Sequence, residues 1–319
     1  MRVLIIAVVI LLTTTSCGIV QGGVPASPFL SPSATYTGVV DIPSVSTVAP
    51  CGDISPLEKI AIRSFSDENY ISIINVDGSY YAEHVVTGST FSWSPDGTSL
   101  AFTSGKNGDL EIFRIDIDGN NQRQLTNSIG EDSGPVWSPD GTLIAFASMM
   151  DGNFQIWTMN SANGANLKRL TNSPEPTPYV IAWLPRLRRI IFARVFTSGP
   201  ILYSMDEDGS NQRQLELANL PSGVIDISWS PDEQRIAFSS QADGTYEIFT
   251  MNSDGSDMTR LTNNTSNNYS PAWSPDGCFI AFHSDRDGHS EIYLMNADGV
   301  NQTRLTHGSD NNFSPKFQP

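Results

Sequence analysis

Short apolar segments recur along the chain and alternate with turns rich in glycine, proline, asparagine and aspartate. In one complete unit these segments are Tyr269–Trp273, Phe279–His283, Glu291–Met295 and Thr303–Thr306. Each segment has the length of a β-strand and is rich in aromatic and β-branched residues. None extends into a run of about ten residues with helical spacing. The pattern therefore predicts four strands in each unit, which we call strands a, b, c and d.

A repeated turn motif separates strand a from strand b. Ser-Pro-Asp-Gly follows Trp93, Trp137 and Trp273, and Ser-Pro-Asp-Glu follows Trp229. Proline presets the backbone at the second turn position, aspartate is tolerated at the third, and glycine adopts a left-handed conformation without steric cost. An Asp-Gly pair after strand c is a second hairpin signal. Each unit is therefore predicted to be a four-stranded antiparallel meander.

The turn motif recurs with a nearly constant period. The aromatic residue that ends strand a stands at positions 93, 137, 183, 229, 273 and 317, with steps of 44 or 46 residues. A period of this size is typical of a WD-type propeller blade. Strands b and c are apolar at nearly every position, so both faces of a meander need cover, and neighbours in a ring provide it. The predicted fold class is all-β, a six-bladed β-propeller of four-stranded antiparallel blades.

The first and last units of the repeat are incomplete. The first strand b, Ile60–Ile62, has no tryptophan motif before it, and the last motif, Asn312–Gln318, has no strand b after it. Together they make one blade, so we predict that the C-terminal strand is the innermost strand of blade 1 and closes the ring. Closure also removes an exposed sheet edge that would promote aggregation. The propeller is predicted to span residues 57–319.

The repeat resembles that of a known family. Ser-Pro-Asp-Gly followed by Ile-Ala-Phe, Glu-Ile-Tyr-x-Met-Asn and Leu-Thr is similar to the propeller repeat of the TolB-like proteins, whose namesake is periplasmic. The resemblance covers Leu57–Pro319 and implies a propeller of this repeat type. It does not specify a role, because similar repeats occur in protease-associated propellers and in many secreted proteins. TolB also has a separate amino-terminal domain, and we expect no counterpart of it here.

The first residues predict export. Arg2 precedes an apolar run, Val3–Leu12, which is shorter than the roughly 20 residues of a membrane span and fits a secretory signal. Thr14–Gly18 resembles the cleavage site of bacterial lipoproteins, which implies lipid modification of Cys17. Ordinary signal cleavage nearby is the alternative. We expect residues 1–17 to be a signal peptide and the protein to be a lipid-anchored envelope protein, periplasmic or extracellular.

Residues 18–56 connect the signal to the propeller. They are rich in serine, threonine and proline, carry almost no charge and cannot bury a core, so we expect a disordered tether. Cys51 lies near its end, and Cys278 lies at the a–b turn of blade 6, which neighbours blade 1 in a closed ring. Because an exported chain meets an oxidising compartment, a disulfide between them is one hypothesis. Two unpaired cysteines are the other.

The net charge of the chain argues against one class of function, nucleic-acid binding. The chain has 319 residues, with 18 Lys and Arg against 34 Asp and Glu and a formal net charge of −16. Nucleic-acid binding needs a basic stripe, so we expect no nucleic-acid partner. Blade 4 is an exception, because Arg186, Arg188 and Arg189 occupy its a–b turn. Two explanations of this arginine cluster remain open. One is sequence drift in a degenerate repeat, and the other is a contact for an acidic partner or a lipid head group.

No catalytic constellation accompanies the repeat. Turn geometry explains the recurrent aspartates, and the four histidines come without a nucleophile motif, so we predict neither a triad nor an organic cofactor. One b–c loop carries His283, Asp285, Asp287 and His289, which could ligate calcium or another divalent ion. A polar loop tip without a metal is the alternative.

The b–c and d–a loops emerge on one face of the predicted ring, which we call the loop face. These loops vary between blades, whereas the a–b and c–d turns on the opposite turn face repeat. Function is commonly carried by variable loops on a rigid scaffold. Phe196 is the preferred anchor for a partner. The alternative is that its side chain folds back onto its own blade. All the partner-binding candidates are Met149, Met150, Arg194, Phe196 and Arg286.

These observations predict a non-enzymatic, monomeric scaffold attached to the cell envelope. Its loop face would bind a protein or a cell-envelope glycan. The alternative is a carbohydrate-active enzyme, a lyase or a hydrolase, with its site at the mouth of the central channel.

Overall fold

The computed structural model describes residues 51–52, 58–105, 108–172, 178–196, 199–217, 220–221 and 223–319. The predicted signal peptide, the predicted lipid attachment at Cys17 and most of the predicted tether lie outside these residues. Within them, no helix is long and apolar enough to span a membrane.

The strands form six antiparallel sheets of four strands each. Blade 1 contains β1 (Lys59–Phe65), β2 (Asn69–Asn75) and β3 (Tyr80–Thr87). Blade 2 contains β4 (Phe91–Trp93), β5 (Ser99–Ser104), β6 (Glu111–Asp116) and β7 (Arg123–Gln124). Blade 3 contains β8 (Asp132–Trp137), β9 (Leu143–Ser148), β10 (Gln155–Asn160) and β11 (Lys168–Arg169). Blade 4 contains β12 (Pro178–Leu184), β13 (Arg189–Phe196), β14 (Gly199–Asp206) and β15 (Arg213–Gln214). Blade 5 contains β16 (Ile225–Trp229), β17 (Arg235–Ala242), β18 (Thr245–Asn252) and β19 (Thr259–Arg260). Blade 6 contains β20 (Asn268–Trp273), β21 (Phe279–Ser284), β22 (Glu291–Asn296) and β23 (Thr303–Arg304). The last strand is β24 (Asn311–Phe317). The predicted six-bladed all-β propeller is confirmed.

The C-terminal strand closes the ring as predicted. Blade 1 has the strand order β24-β1-β2-β3, and Phe313 of β24 stands opposite Arg63 of β1. Gln318 then donates a hydrogen bond from Nε2 to the carbonyl oxygen of Gly97 in blade 2 (2.7 Å). The two incomplete ends of the repeat therefore share one sheet.

Strands b and c are buried on both faces, which explains why their sequences are apolar at nearly every position. A phenylalanine of strand b is fully buried in each of blades 2 to 6. Four of these rings stack on an aromatic ring of strand c, with centroids 5.4 to 5.7 Å apart. Each blade therefore depends on its neighbours for cover.

The a–b turns are held by their own side chains. In blade 2 the carboxylate of Asp96 accepts hydrogen bonds from Ser94 Oγ (2.6 Å) and from the backbone N–H of Thr98 (3.0 Å). Gly97 has a φ of +67°, as the motif requires. The same serine–aspartate bond recurs at Asp140, Asp232 and Asp276. The repeated aspartates are therefore turn residues.

Strand d is shorter than predicted, because β23 ends at Arg304. After this residue the chain leaves the ladder, and the Thr306 side chain takes over the pairing. Thr306 Oγ1 accepts a hydrogen bond from the backbone N–H of Ile292 (2.9 Å). Blade 1 is the exception, since its outer strand β3 has eight residues.

Buried polar contacts join neighbouring blades near the loop face. Between blades 6 and 1, the carboxylate of Glu291 accepts hydrogen bonds from Thr306 Oγ1 and from Asn312 Nδ2 (3.2 Å). Between blades 5 and 6, Glu247 accepts the equivalent bond from Asn268 Nδ2 (2.9 Å). All four glutamate and asparagine side chains are buried, so each contact replaces water that these groups have lost.

The equivalent contact between blades 2 and 3 has an aspartate in place of asparagine. Glu111 and Asp132 are both buried there, and Asp132 Oδ1 has no donor among the described residues. Burial raises the pKa of Glu111, and the neighbouring charge of Asp132 raises it further, although the Thr126 hydroxyl opposes the shift. Two adjacent carboxyls cannot both ionise without a cost, so this contact favours a retained proton.

A disulfide links Cys51 and Cys278, whose Cα atoms are 5.5 Å apart. It attaches the segment before blade 1 to the a–b turn of blade 6. Of the two hypotheses for these cysteines, the structure therefore contains the disulfide. The predicted tether boundary at residue 56 stays a prediction, because residues 53–57 lie outside the described residues.

Candidate functional site in the axial channel and on the loop face

The inner strands, strand a of each blade, lie against one another around the axial channel. Their pairing with strand b shifts register in blades 1, 3, 4, 5 and 6, which marks a β-bulge in each. In three adjacent blades the bulge holds a non-glycine residue with positive φ: Asp226 (+52°), Ser270 (+51°) and Ser314 (+50°). Such strained backbone is concentrated at functional sites. The channel beside blades 5, 6 and 1 is therefore the candidate site.

Asp226 and Lys316 bring opposite charges into the channel. Both side chains are accessible to water although protein surrounds them on every side, as expected for groups that line a channel. Asp226 accepts a hydrogen bond from Ser270 Oγ (3.0 Å), and Lys316 Nζ donates to the carbonyl oxygen of Phe91 (2.7 Å). Burial raises the pKa of Asp226 and lowers the pKa of Lys316 to about 8, and each charge opposes the shift of the other.

Arg63 is the third charged group of this region. Its guanidinium lies over the ring of Phe313, 4.9 Å from the centroid. Within the described part of the chain it makes no hydrogen bond or ion pair, and its Nε is buried. Burial lowers the pKa of Arg63, the carboxylate of Asp226 opposes that shift, and an arginine remains charged in either case.

A row of rings extends from Arg63 along the loop-face side of the channel. The ring of His283 meets Phe313 edge-on (5.3 Å) and stacks on Tyr269 (5.2 Å), which in turn lies beside Tyr246 (5.0 Å). Burial lowers the pKa of His283 to about 3, and the charge of Arg63 contributes, so this imidazole is neutral near pH 7. Its buried Nδ1 has no partner among the described residues.

Two tyrosines lie close enough to Asp226 to interact with its charge. Burial raises the pKa of Tyr179 to about 12, and Asp226 adds to that shift. Burial also raises the pKa of Tyr269 to about 12, with Asp226 among the charges that contribute. Both hydroxyls therefore stay protonated and remain hydrogen-bond donors at physiological pH.

The charged residues of the channel were not predicted from the sequence. They come from blades 1 and 5, and no local motif connects them. Alignment of the six repeats on their aromatic residue reveals a signal, however. Lys316 directly precedes the aromatic residue, where the other repeats have serine, valine or alanine. Asp226 stands three positions before it, where the others have threonine, glycine, valine or serine.

The metal-ligand candidates His283, Asp285, Asp287 and His289 are not brought together. His283 is part of the aromatic row, and His289 Nε2 lies 2.8 Å from the carbonyl oxygen of Gly308. Among the described residues, no three His, Cys, Asp or Glu side chains form a group that could hold a metal ion. The two aspartates bond to other side chains, Asp285 to Asn267 and Asp287 to Tyr293 and Arg304.

Three partner-binding candidates come from blades 3 and 4. Met149 lies against Gly130, and Met150 packs partly against the core cluster that contains Trp137. Phe196, at the end of β13, is exposed. Phe196 is therefore the one of these three that presents an apolar surface to a partner.

The two arginine candidates contact the protein itself. Arg194 lies over the ring of Tyr203, 4.8 Å from its centroid. Arg286 donates hydrogen bonds to Asn268 Oδ1 (2.9 Å) and to Gln302 Oε1 (2.9 Å). Both side chains therefore pack on their own blades, and Arg286 connects β20 with the segment just before β23.

Ile129 is the most exposed large apolar residue described, with 92% of its surface accessible. It lies in the d–a loop between blades 2 and 3, on the loop face. Phe65, at the end of β1, is exposed on the same face. The loop of Ile129 belongs to the predicted variable face, but Ile129 is not among the predicted partner-binding residues. Sequence alone does not distinguish an exposed loop isoleucine from one folded onto the core.

The arginines of blade 4 meet acidic residues of the same blade. Arg188 lies 3.3 Å from Glu207, and Arg189 lies 2.8 Å from Asp206. Charges that are neutralised locally attract an external acidic partner less strongly, so these contacts favour drift of the repeat as the explanation.

The backbone of the blade 4 turn is supported by blade 5. The N–H groups of Arg186 and Leu187 donate to the two carboxylate oxygens of Glu233, at 2.7 and 3.0 Å. Glu233 stands where the motif otherwise has glycine and adopts a φ of +60°. Two departures from the repeat therefore compensate each other, since the turn without an aspartate receives its carboxylate from the neighbouring blade.

Comparisons with known proteins agree with this architecture. A family model described as TolB beta propeller domain matches residues 58–216 and 216–319. TolB from Acinetobacter baumannii has a TM-score of 0.70 at 21% identity, over 82% of this chain and 67% of that one. A putative TolB from Agrobacterium tumefaciens has a TM-score of 0.58 at 21% identity, over 82% of this chain and 99% of that one.

A more distant protein shares the fold. A chain in the crystal structure of a nidogen/laminin complex has a TM-score of 0.64 at 12% identity, over 82% of this chain and 98% of that one. At such identities the structural likeness shows the fold alone. Because the family model covers the propeller from residue 58 to the C-terminus, the chain belongs to the family of TolB β-propeller domains.

Proposed function

We propose that the protein is a non-enzymatic scaffold whose loop face binds a protein partner. The exposure of Ile129 carries this proposal. An isoleucine with 92% of its surface in water contributes little to the core and is available to a partner, and it lies on a variable loop of a rigid scaffold, where binding residues are commonly found. Phe65 and Phe196 are exposed on the same face and add apolar anchors in blades 1 and 4.

The turn face also exposes apolar side chains, but each is less exposed than Ile129, and they lie in turns that repeat between blades. Leu167, Leu187, Met258 and Val300 are 44 to 51% exposed and lie in the repetitive turns. They provide a matched control for the loop face.

Export and lipid anchoring at Cys17 belong to the same proposal. The disulfide between Cys51 and Cys278 supports export, since such bonds persist in oxidising compartments. Membership of the TolB propeller family also supports it. Labelling with a radioactive fatty acid tests the anchor, and a Cys17→Ala variant should lose both the label and membrane attachment. Equal labelling of that variant would refute the anchor.

Affinity capture from envelope extract tests the partner. The full chain should retain a partner protein that is lost with Ile129→Asp and kept with Val300→Asp. Equal capture by the wild-type protein and Ile129→Asp would contradict the proposal. Retention of a polysaccharide alone would favour a glycan partner, and its turnover would favour the carbohydrate-active alternative.

A further inference from the structure

The charges of the axial channel do not balance. Arg63 and Lys316 are two cationic groups, Asp226 is the carboxyl that acts on the charge of both, and burial keeps His283 neutral near pH 7, so the cations outnumber the anion even when Asp226 is ionised. The region therefore has an excess of one positive charge in a chain whose formal net charge is −16. An uncompensated charge surrounded by protein is costly, so an added anion would be stabilised there.

Arg63 has hydrogen-bond donors that nothing in the described chain uses. A guanidinium offers five N–H donors, all in its own plane. Stacking on Phe313 occupies only the face of that plane. The buried Nε confirms that part of the donor set is turned away from bulk water without an acceptor. A planar oxyanion that accepts two parallel hydrogen bonds fits such a fork.

Lys316 lies near Arg63 along the same sheet. Lys316 is paired with Ala61 on β1, and Arg63 is two residues further along that strand. This separation corresponds to about 7 Å between the two backbone positions along the strand. The charges of both side chains also act on Asp226, so a ligand beside Asp226 lies near both cations. The hydrogen bond of Lys316 to Phe91 uses one of its three donors.

We propose that the axial channel binds a carboxylate group, which Arg63 holds through paired hydrogen bonds and Lys316 through its ammonium. Asp226, fixed by Ser270, sets the charge of the site. With two cations and one anion present, a monovalent carboxylate restores neutrality, whereas a phosphate dianion leaves an excess of negative charge. The site is independent of the partner proposed for the loop face. The carboxylate can come from a small molecule or from the C-terminus of a polypeptide.

Acetate is the probe, titrated into the full chain at constant ionic strength and followed by NMR line broadening. Acetate should bind saturably, and acetamide, its neutral counterpart, should not. Lys316→Gln should weaken acetate binding at least about tenfold, because a hydrogen bond to a charged group is lost. Lys168→Gln removes an equal charge outside the channel and should leave the affinity unchanged.

Asp226→Asn provides the opposite test, because it removes the competing negative charge and should tighten acetate binding. This variant keeps the test decisive if Lys316→Gln does not fold. Affinity for acetate should also fall as the pH rises through about 8, where Lys316 loses its proton. Of the groups near Lys316, Arg63 stays charged, His283 stays neutral, and Tyr179 and Tyr269 stay protonated over this range. Burial raises the pKa of Asp226, so the pH series is repeated in Asp226→Asn, where only Lys316 remains to titrate.

The source of the carboxylate is distinguished by N-acetylglycine, which mimics a polypeptide C-terminus. Tighter binding of N-acetylglycine than of acetate would indicate a polypeptide source, and weaker binding would indicate a small molecule. Absence of saturable acetate binding, or tighter binding in Lys316→Gln than in Asp226→Asn, would overturn the proposal.

Discussion

The a–b turns and the axial channel are built from the same inner strands, yet they follow different rules. In the turns, the serine–aspartate hydrogen bond recurs in four blades, and the polar groups are satisfied locally. In the channel, equivalent bulge positions hold Gly134 in blade 3, Asp226 in blade 5 and Ser314 in blade 1. The repeated positions therefore build the ring, and the positions that vary between blades place different side chains at the channel.

The largest effect is expected from a repeated aromatic residue. Trp273 is buried in a cluster with Ile280 and Phe282, and Trp273→Ala should lower the free energy of unfolding by about 3–5 kcal/mol. Urea denaturation measures this loss. A loss below about 1 kcal/mol would mean that this aromatic residue does not hold neighbouring blades together.

Loss of the disulfide should have the next largest effect. It anchors the segment before blade 1 to a turn of blade 6, and its sequence separation is 227 residues. The double variant Cys51→Ser, Cys278→Ser should lose about 2–4 kcal/mol of stability by thermal unfolding. Reduction of the wild-type protein should give the same loss. A reducing agent that leaves the unfolding transition unchanged would show that the bond does not form in the protein.

Two single variants at the contacts between blades, Asn268→Asp and Asp132→Asn, should change the free energy of unfolding in opposite directions. Asn268→Asp places a second carboxyl beside Glu247 and should cost about 1–3 kcal/mol at pH 7, because a buried acceptor loses its donor. Asp132→Asn supplies a donor to Glu111 and should stabilise the protein by about 1 kcal/mol.

The pH dependence of these variants follows from the raised pKa of Glu111. A carboxyl with a raised pKa contributes stability below its ordinary value of 4.5, and this contribution is lost as the pH rises through the raised value. The advantage of Asp132→Asn over wild type should therefore grow as the pH rises above 4.5. An advantage that shrinks over the same range would rule out a shared proton.

The smallest effect is expected at a strained bulge. Ser314 has positive φ, so Ser314→Gly should relieve strain and raise stability by about 0.5 kcal/mol, after the entropy cost of glycine. Ser270→Gly is the matched control, because it relieves similar strain but removes the hydrogen bond to Asp226. Differential calorimetry should show a gain for Ser314→Gly only. Equal gains would mean that Ser270 does not position Asp226.

The success of sequence reasoning here depended on repetition. Ile60 and the C-terminal motif could be assigned to one blade because each lacked the part that the other supplied. Strand d was predicted too long, since Thr306 has a strand-like sequence but uses its hydroxyl, rather than its backbone, to pair with Ile292. The His283 loop suggested metal ligands, but burial against Tyr269 separates that ring from the loop tip.

The channel could not be predicted because its members are distant in sequence. Arg63, Asp226 and Lys316 converge only when the ring closes, and a bulge changes the direction in which an inner-strand side chain points. The strand pattern alone therefore does not show which side chains enter the channel. The exposure of Ile129 similarly depends on how a d–a loop lies on its blades.

We expect repeated positions of the propeller to determine its stability and channel positions to determine the proposed acetate binding. The most direct test measures two quantities, the free energy of unfolding and the acetate affinity, in both Trp273→Ala and Lys316→Gln. Trp273→Ala should lose stability at unchanged acetate affinity, and Lys316→Gln should lose affinity with little change in stability. A parallel loss of both quantities in both variants would contradict this expectation.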